Sequence, residues 1–118
     1  MSASPVRPTL FLLAPGFDDG SGGSFFCPDC AMVEGFLRYN PNIEAALDVR
    51  RIAFTRPRAD VVALLGEAHQ GCPTLVLPEA NGQVAEASVS TQTGRTFIAD
   101  GKPICAYLAK VFGVPLPH

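Results

Sequence analysis

Tryptophan is absent from this chain of 118 residues, cysteine occurs four times, and charged side chains make up only 17%. Four cysteines are too few for a disulfide-built secreted scaffold of this size. In a reducing compartment, a close pair of them is expected to do redox chemistry or hold a metal. The net charge of −2, with no basic cluster among the aromatic residues, argues against nucleic acid or an anionic membrane as the main partner. No apolar run approaches the roughly 20 residues of a spanning helix. Residues 1–8 are polar and proline-rich and lack the apolar region of a secretory signal, so a cytoplasmic location is the expectation. With 47% apolar residues, the chain can build one real core.

What is present is Cys27-Pro28-Asp29-Cys30, ahead of the amphipathic run Ala31 to Leu37. Proline suits the first turn of a helix, where its missing N–H costs nothing. Cys27 then falls at the helix N-terminus, where unpaired N–H groups and the positive end of the macrodipole favour a thiolate. Cys30 lies one turn on and can resolve a mixed disulfide formed by Cys27.

The remaining pattern predicts an α/β domain over residues 9–114, with an N-terminal extension (1–8) and a C-terminal tail (115–118). Leu10 to Ala14 is uninterruptedly apolar, as a strand buried on both faces would be. A glycine-rich acidic stretch, 15–26, reads as a lid or plain loop. The helix from Cys27 is expected to stop at Asn40-Pro41. Val49 to Phe54 reads as an edge strand, and Val61, Leu64, Leu65 and Ala68 as a helix ended by Gly71. Thr74 to Leu77 reads as a second central strand, 79–95 as a loop, and Thr96 to Ala99 as a short edge strand. The last helix carries Ile104, Tyr107, Leu108 and Val111, with Gly113 as its cap. The order β-α-β-α-β-β-α predicts a four-stranded mixed sheet with helices on both faces. Its first two β-α-β steps are expected to be parallel crossovers.

This order, with C-x-x-C opening the first helix, resembles the thioredoxin-like superfamily. The glutaredoxin and glutathione-transferase N-terminal type is the nearest. Three segments carry the resemblance: Cys27-Pro28-Asp29-Cys30; Gly71-Cys72-Pro73-Thr74-Leu75-Val76, where the superfamily places a cis-proline; and Asp100 to Leu108, with its A-x-Y-L ending. The chain also looks like a bacterial family of thioredoxin-like proteins of unknown function. The resemblance implies thiol–disulfide exchange with Cys27 attacking and Cys30 resolving. It also implies protein or small-molecule disulfides as partners, with glutathione as a co-substrate. Cys72 and Pro73 would orient the substrate, and Asp100 and Gly101 would hold the γ-glutamyl amine of glutathione. The chain departs from the pattern in its long loop before Cys27, in Asp at position 29, and in Phe25 and Phe26 without a flanking Lys or Arg. These departures predict a less activated thiolate.

A second reading stands beside this one. His69-x-x-Cys72 with Cys27-x-x-Cys30 supplies a Cys₃His set suited to zinc or an iron–sulfur cluster. His69 also fits a plain helix cap, and Cys72 a small buried apolar residue. Asp100 fits a ligand-free N-cap. Arg50, Arg51, Arg56 and Arg58 read as a solvated strand edge. Cys105 is expected in the core and His118 in a disordered end.

Overall fold

The computed structural model describes residues 7–78 and 84–118. Along the chain run β1 (Thr9–Leu13), α1 (Pro28–Tyr39), α2 (Pro41–Ala46), β2 (Asp48–Ile52) and α3 (Ala59–Leu65). They are followed by β3 (Thr74–Val76), β4 (Ser88–Val89), β5 (Thr96–Ala99) and α4 (Gly101–Phe112). Every residue of β1 is buried. A strand can be apolar on both sides only if both faces of its sheet are covered. Leu10 and Leu12 join Val33, Phe36 and Leu37 of α1 and Ile104 and Leu108 of α4 in one cluster. Phe11 joins Val61 and Leu65 of α3, with Val76 and Phe97, in another. Period-two alternation along β1 thus places α1 and α4 on one face and α3 on the other.

The sheet order is β2-β1-β3-β5-β4, with β1 and β2 parallel and the other pairs antiparallel. Leu13 pairs with Ile52, Phe11 with Thr74, and Thr74 with Ala99. One end of the sheet therefore gathers the exits of β1, β2 and β5 and the entry of β3. α1 and α4 both start from that end and pack side by side in the same core cluster.

Four expectations need correction. The sheet has five strands, because Ser88–Val89 pairs with β5 inside the stretch read as a loop. That strand is only two residues long and both are exposed, so it leaves no apolar signature. It also takes the sheet edge that the sequence reading gave to residues 96–99, and β5 lies inside, with Thr96, Phe97 and Ile98 buried. The second β-α-β step is not a parallel crossover, since β3 runs antiparallel to β1. Its helix is short and ends at Gly66, five residues before Gly71. Gly66 takes φ +84°, a conformation that side-chain-bearing residues seldom adopt. The first helix does stop at Tyr39, ahead of Asn40-Pro41, and Pro41 also opens α2, a helix that the sequence pattern did not announce, since a proline is well placed at the first position of a helix.

Candidate functional site

Cys27 caps α1. Its backbone is extended (φ −80°, ψ 114°), Pro28 occupies the first helical position, and the Cys30 N–H donates to Cys27 Sγ at 3.1 Å. The sulfur therefore does the work usually given to a Ser or Asp oxygen at this position. Cys27 is half-buried, whereas Cys30 is only 3% exposed and its Sγ accepts the Leu13 N–H at 3.5 Å. Burial, and then the neighbouring Cys27 sulfur, push the Cys30 thiol up to about 12. The pair is unequal: one sulfur is accessible at a helix end and the other is held as a thiol behind it.

The Cys72–Pro73 segment enters β3 at the same end of the sheet. Its peptide bond is cis, and the Cys72 carbonyl lies 3.9 Å from Cys27 Sγ, within reach of the thiol proton. Arg56–Pro57 is cis as well. Arg58, read from sequence as solvated, is 7% exposed. Its Nε and Nη2 donate to the Phe54 carbonyl at 2.9 and 2.6 Å, and its Nη1 donates to the Gln70 carbonyl at 2.8 Å. The guanidinium lies 5.3 Å from the Phe54 ring centre, and Phe54 stacks on Phe17 at 4.5 Å with the planes 8° apart. The glycine-rich stretch is thus latched rather than loose: Phe17 and Phe25 pair across it, and Asp18 and Asp19 accept N–H groups of Gly20, Ser21 and Gly22. Burial pushes the Cys72 thiol up to about 11, with the charges of Arg58 and Arg56 pulling the other way.

The third approach is made by α4. Asp29, inside the motif, accepts the Gly101 N–H through Oδ2 at 2.8 Å. A Cβ at Gly101 would stand 2.7 Å from Asp29 Oδ1 and 2.8 Å from the Asp29 carbonyl oxygen, so this close approach requires glycine. Asp100 precedes it at φ 75°, ψ 147°, close to a region that glycine alone visits freely, and makes no side-chain cap. Its N–H donates to the Pro73 carbonyl at 3.3 Å. The cap at the start of α4 is therefore Asp29, 72 positions earlier in the chain, rather than Asp100.

Cys27, Cys30, Cys72, Pro73, Asp100 and Gly101 converge on this end of the sheet; His69 does not join them. Its ring packs against Phe97 with centroids 4.7 Å apart. Among the described residues, no group of three or more Cys, His, Asp or Glu side chains is placed to hold a metal ion. Cys105 is buried in the α1–α4 core, and its thiol too is pushed up to about 11, by burial and then by Asp29. His118 accepts a hydrogen bond from Lys102 Nζ at 3.1 Å through its carbonyl.

These thiols set an alkaline limit. Cys30, Cys72 and Cys105 keep their protons in the folded chain to about pH 11–12, whereas in the unfolded chain they lose them near the ordinary value of 9.0. Their contribution is complete below pH 9 and is lost as pH rises towards 11–12, because the unfolded state binds fewer protons there. Between pH 8 and 10.5, unfolding free energy is expected to fall by on the order of 1–2 kcal/mol per thiol. Denaturant titrations across that range should show a shallower slope for Cys105→Ala than for the unmodified chain. Equal slopes would refute the assignment.

The profile of a family described as a protein of unknown function (DUF3088) matches residues 7–116. The chain belongs to this family. No curated protein matches it, and no solved structure does. In this DUF3088 chain the sequence pattern named Cys27, Cys30, Cys72, Pro73, Asp100 and Gly101, but two residues that the fold brings against them, Arg58 and Asp29, were not among them. Arg58 carries no local sign of burial, since the Phe54 and Gln70 carbonyls that hold it are brought together only by folding. Asp29 was read through its charge alone, and nothing in the spacing of positions 29 and 101 announces their contact. No described helix is long and apolar enough to cross a membrane.

Proposed function

We propose that this protein is a thiol–disulfide oxidoreductase with a thioredoxin-like fold. The observation that carries the reading is the asymmetry of the pair: Cys27 is half-buried at the N-cap, where its Sγ accepts the Cys30 N–H at 3.1 Å, and Cys30 sits buried behind it. Support for the fold comes from the β2-β1-β3-β5 core, parallel between β1 and β2 and antiparallel beyond, with a cis-proline entering β3. The extra β4 and α2 are additions at its periphery.

In the exchange, the Cys27 thiolate attacks one sulfur of a substrate disulfide. The substrate S–S bond breaks, a mixed disulfide forms on Cys27, and one substrate thiolate leaves. Cys27 then carries no charge, which removes the neighbour that helps hold the Cys30 thiol up. Cys30 gives its proton to the first leaving thiolate and attacks Cys27 Sγ, the mixed disulfide breaks, and the second substrate thiolate leaves. The Cys27–Cys30 bond forms, and two electrons have passed to the substrate. The Cys72 carbonyl, 3.9 Å from Cys27 Sγ, lies where an extended substrate backbone would run. The Gly101 N–H at the start of α4 is taken by Asp29, while the Asp100 carboxylate, which the resemblance sets against the γ-glutamyl amine of glutathione, makes no cap there. Protein or small-molecule disulfides are the proposed partners.

Equilibration against dithiothreitol redox mixtures tests the reading. The chain is expected to titrate as one two-electron couple, with peptide mapping placing the bond between Cys27 and Cys30 and leaving Cys105 reduced. Absence of that bond across the whole range sinks the proposal.

A further inference from the structure

The N-terminus of a twelve-residue helix is a ready anion site, because its first N–H groups lack partners and the macrodipole is positive there. In α4 the anion is internal. The Asp29 carboxylate, two residues from Cys27, accepts the Gly101 N–H at 2.8 Å and lies so close that only glycine fits at position 101. Immediately before Cys27, Phe25 and Phe26 are 41% and 60% exposed, whereas the positive charges of Arg56 and Arg58 act on the other side, at Cys72. Resting on the exchange reading above, we propose that Asp29 is a specificity-determining residue that fills the anion end of α4 and sets a negative charge beside Cys27. The site then favours uncharged disulfides with apolar flanks, as in an extended polypeptide, over those with a carboxylate near the sulfur. Glutathione, with a carboxylate on either side of its thiol, belongs to the disfavoured class. This selection uses no added group: it comes from one side chain placed between the two cysteines and reaching back to a distant helix end.

The test is single-turnover oxidation of the pre-reduced full chain by two disulfides of similar size. One is bis(hydroxyethyl) disulfide, which is neutral, and the other is dithiodipropionate, which carries a carboxylate on each arm. Their rate ratio is normalised to the ratio given by free mercaptoethanol, which removes the substrates' intrinsic difference. The unmodified protein is expected to discriminate against the dicarboxylate by about tenfold beyond that reference, the size of one unlike-to-like charge contact near the surface. Asp29→Asn keeps an oxygen acceptor for Gly101 while removing the charge, and is expected to bring discrimination below about threefold. Because only the ratio is read, a general change in Cys27 reactivity cancels. In the unmodified protein, added salt should erode the discrimination towards that of the reference. A normalised ratio near one in the unmodified protein overturns the inference while leaving exchange intact. Discrimination that persists unchanged in Asp29→Asn or in high salt overturns it too. Failure to oxidise with either disulfide defeats the exchange reading itself, and the inference with it.

Discussion

Cys27→Ser is expected to abolish disulfide exchange, lowering the rate at least about a thousandfold, because no other described sulfur is both accessible and placed at a helix end. Serine preserves the cap, since its oxygen accepts the Cys30 N–H as the sulfur does. The fold should therefore survive and the loss should be chemical. Cys30→Ser gives a different result. The first attack proceeds, but nothing resolves the product, so incubation with a small disulfide should leave the chain heavier by one thiol moiety at Cys27. Intact-mass spectrometry reads both outcomes. A Cys30→Ser chain that gains no adduct while Cys30 of the unmodified chain does would assign the attack to the buried sulfur and reverse the roles. Cys72 is the internal control. Its thiol is pushed up to about 11 by burial despite two nearby arginines, so it is expected to stay unmodified at neutral pH in both variants.

How legible this site was depended on whether a feature is local. The C-x-x-C, Pro28 at the first helical position and the apolar run of β1 each act over a few residues, and each forms as its own chemistry dictates. The convergence of Cys27, Pro73 and Gly101 also followed from element order, because that order places their chain positions at one end of the sheet. What sequence could not give were contacts whose partners are distant and whose residue types argue the other way. Asp29 next to a cysteine reads as an obstacle to a thiolate. In the folded chain its carboxylate is engaged by the Gly101 N–H, 72 residues on. His69 within three residues of Cys72 reads as a ligand, but folding turns its ring against Phe97 instead. β4 escaped because two exposed residues carry no pattern. Pro41 stops α1 as its chemistry dictates, but that it also starts α2 shows only once Ile43 packs into the core.

Arg58 makes the second large prediction, and it concerns the support of the site. A guanidinium buried this deeply needs its hydrogen bonds. Here it binds the Phe54 carbonyl with two N–H groups and the Gln70 carbonyl with a third, which ties the segment after β2 to the segment before Cys72. Gln70 closes the link from the other side, its Oε1 accepting the Arg58 backbone N–H at 2.8 Å. Arg58→Met keeps most of the apolar stem and strands both carbonyls. Each would cost about 1–3 kcal/mol if fully buried without a donor, and both are only partly buried, so a loss in the lower part of the summed range, roughly 2–4 kcal/mol, is expected. Arg58→Lys retains the charge, but a single ammonium cannot span both carbonyls in the fixed geometry of the fork, so it should recover only part of that loss. Chemical denaturation of the three chains measures the series. If Arg58→Met is within about 0.5 kcal/mol of the unmodified protein, the scale of an ordinary surface change, the brace is not structural. The order of the series matters as much as its size. Loss in Met with partial recovery in Lys identifies a charge held by two carbonyls. Equal loss in both would show that the planar stack on Phe54 and Phe17, rather than the charge, holds the turn that carries Cys72 to Cys27.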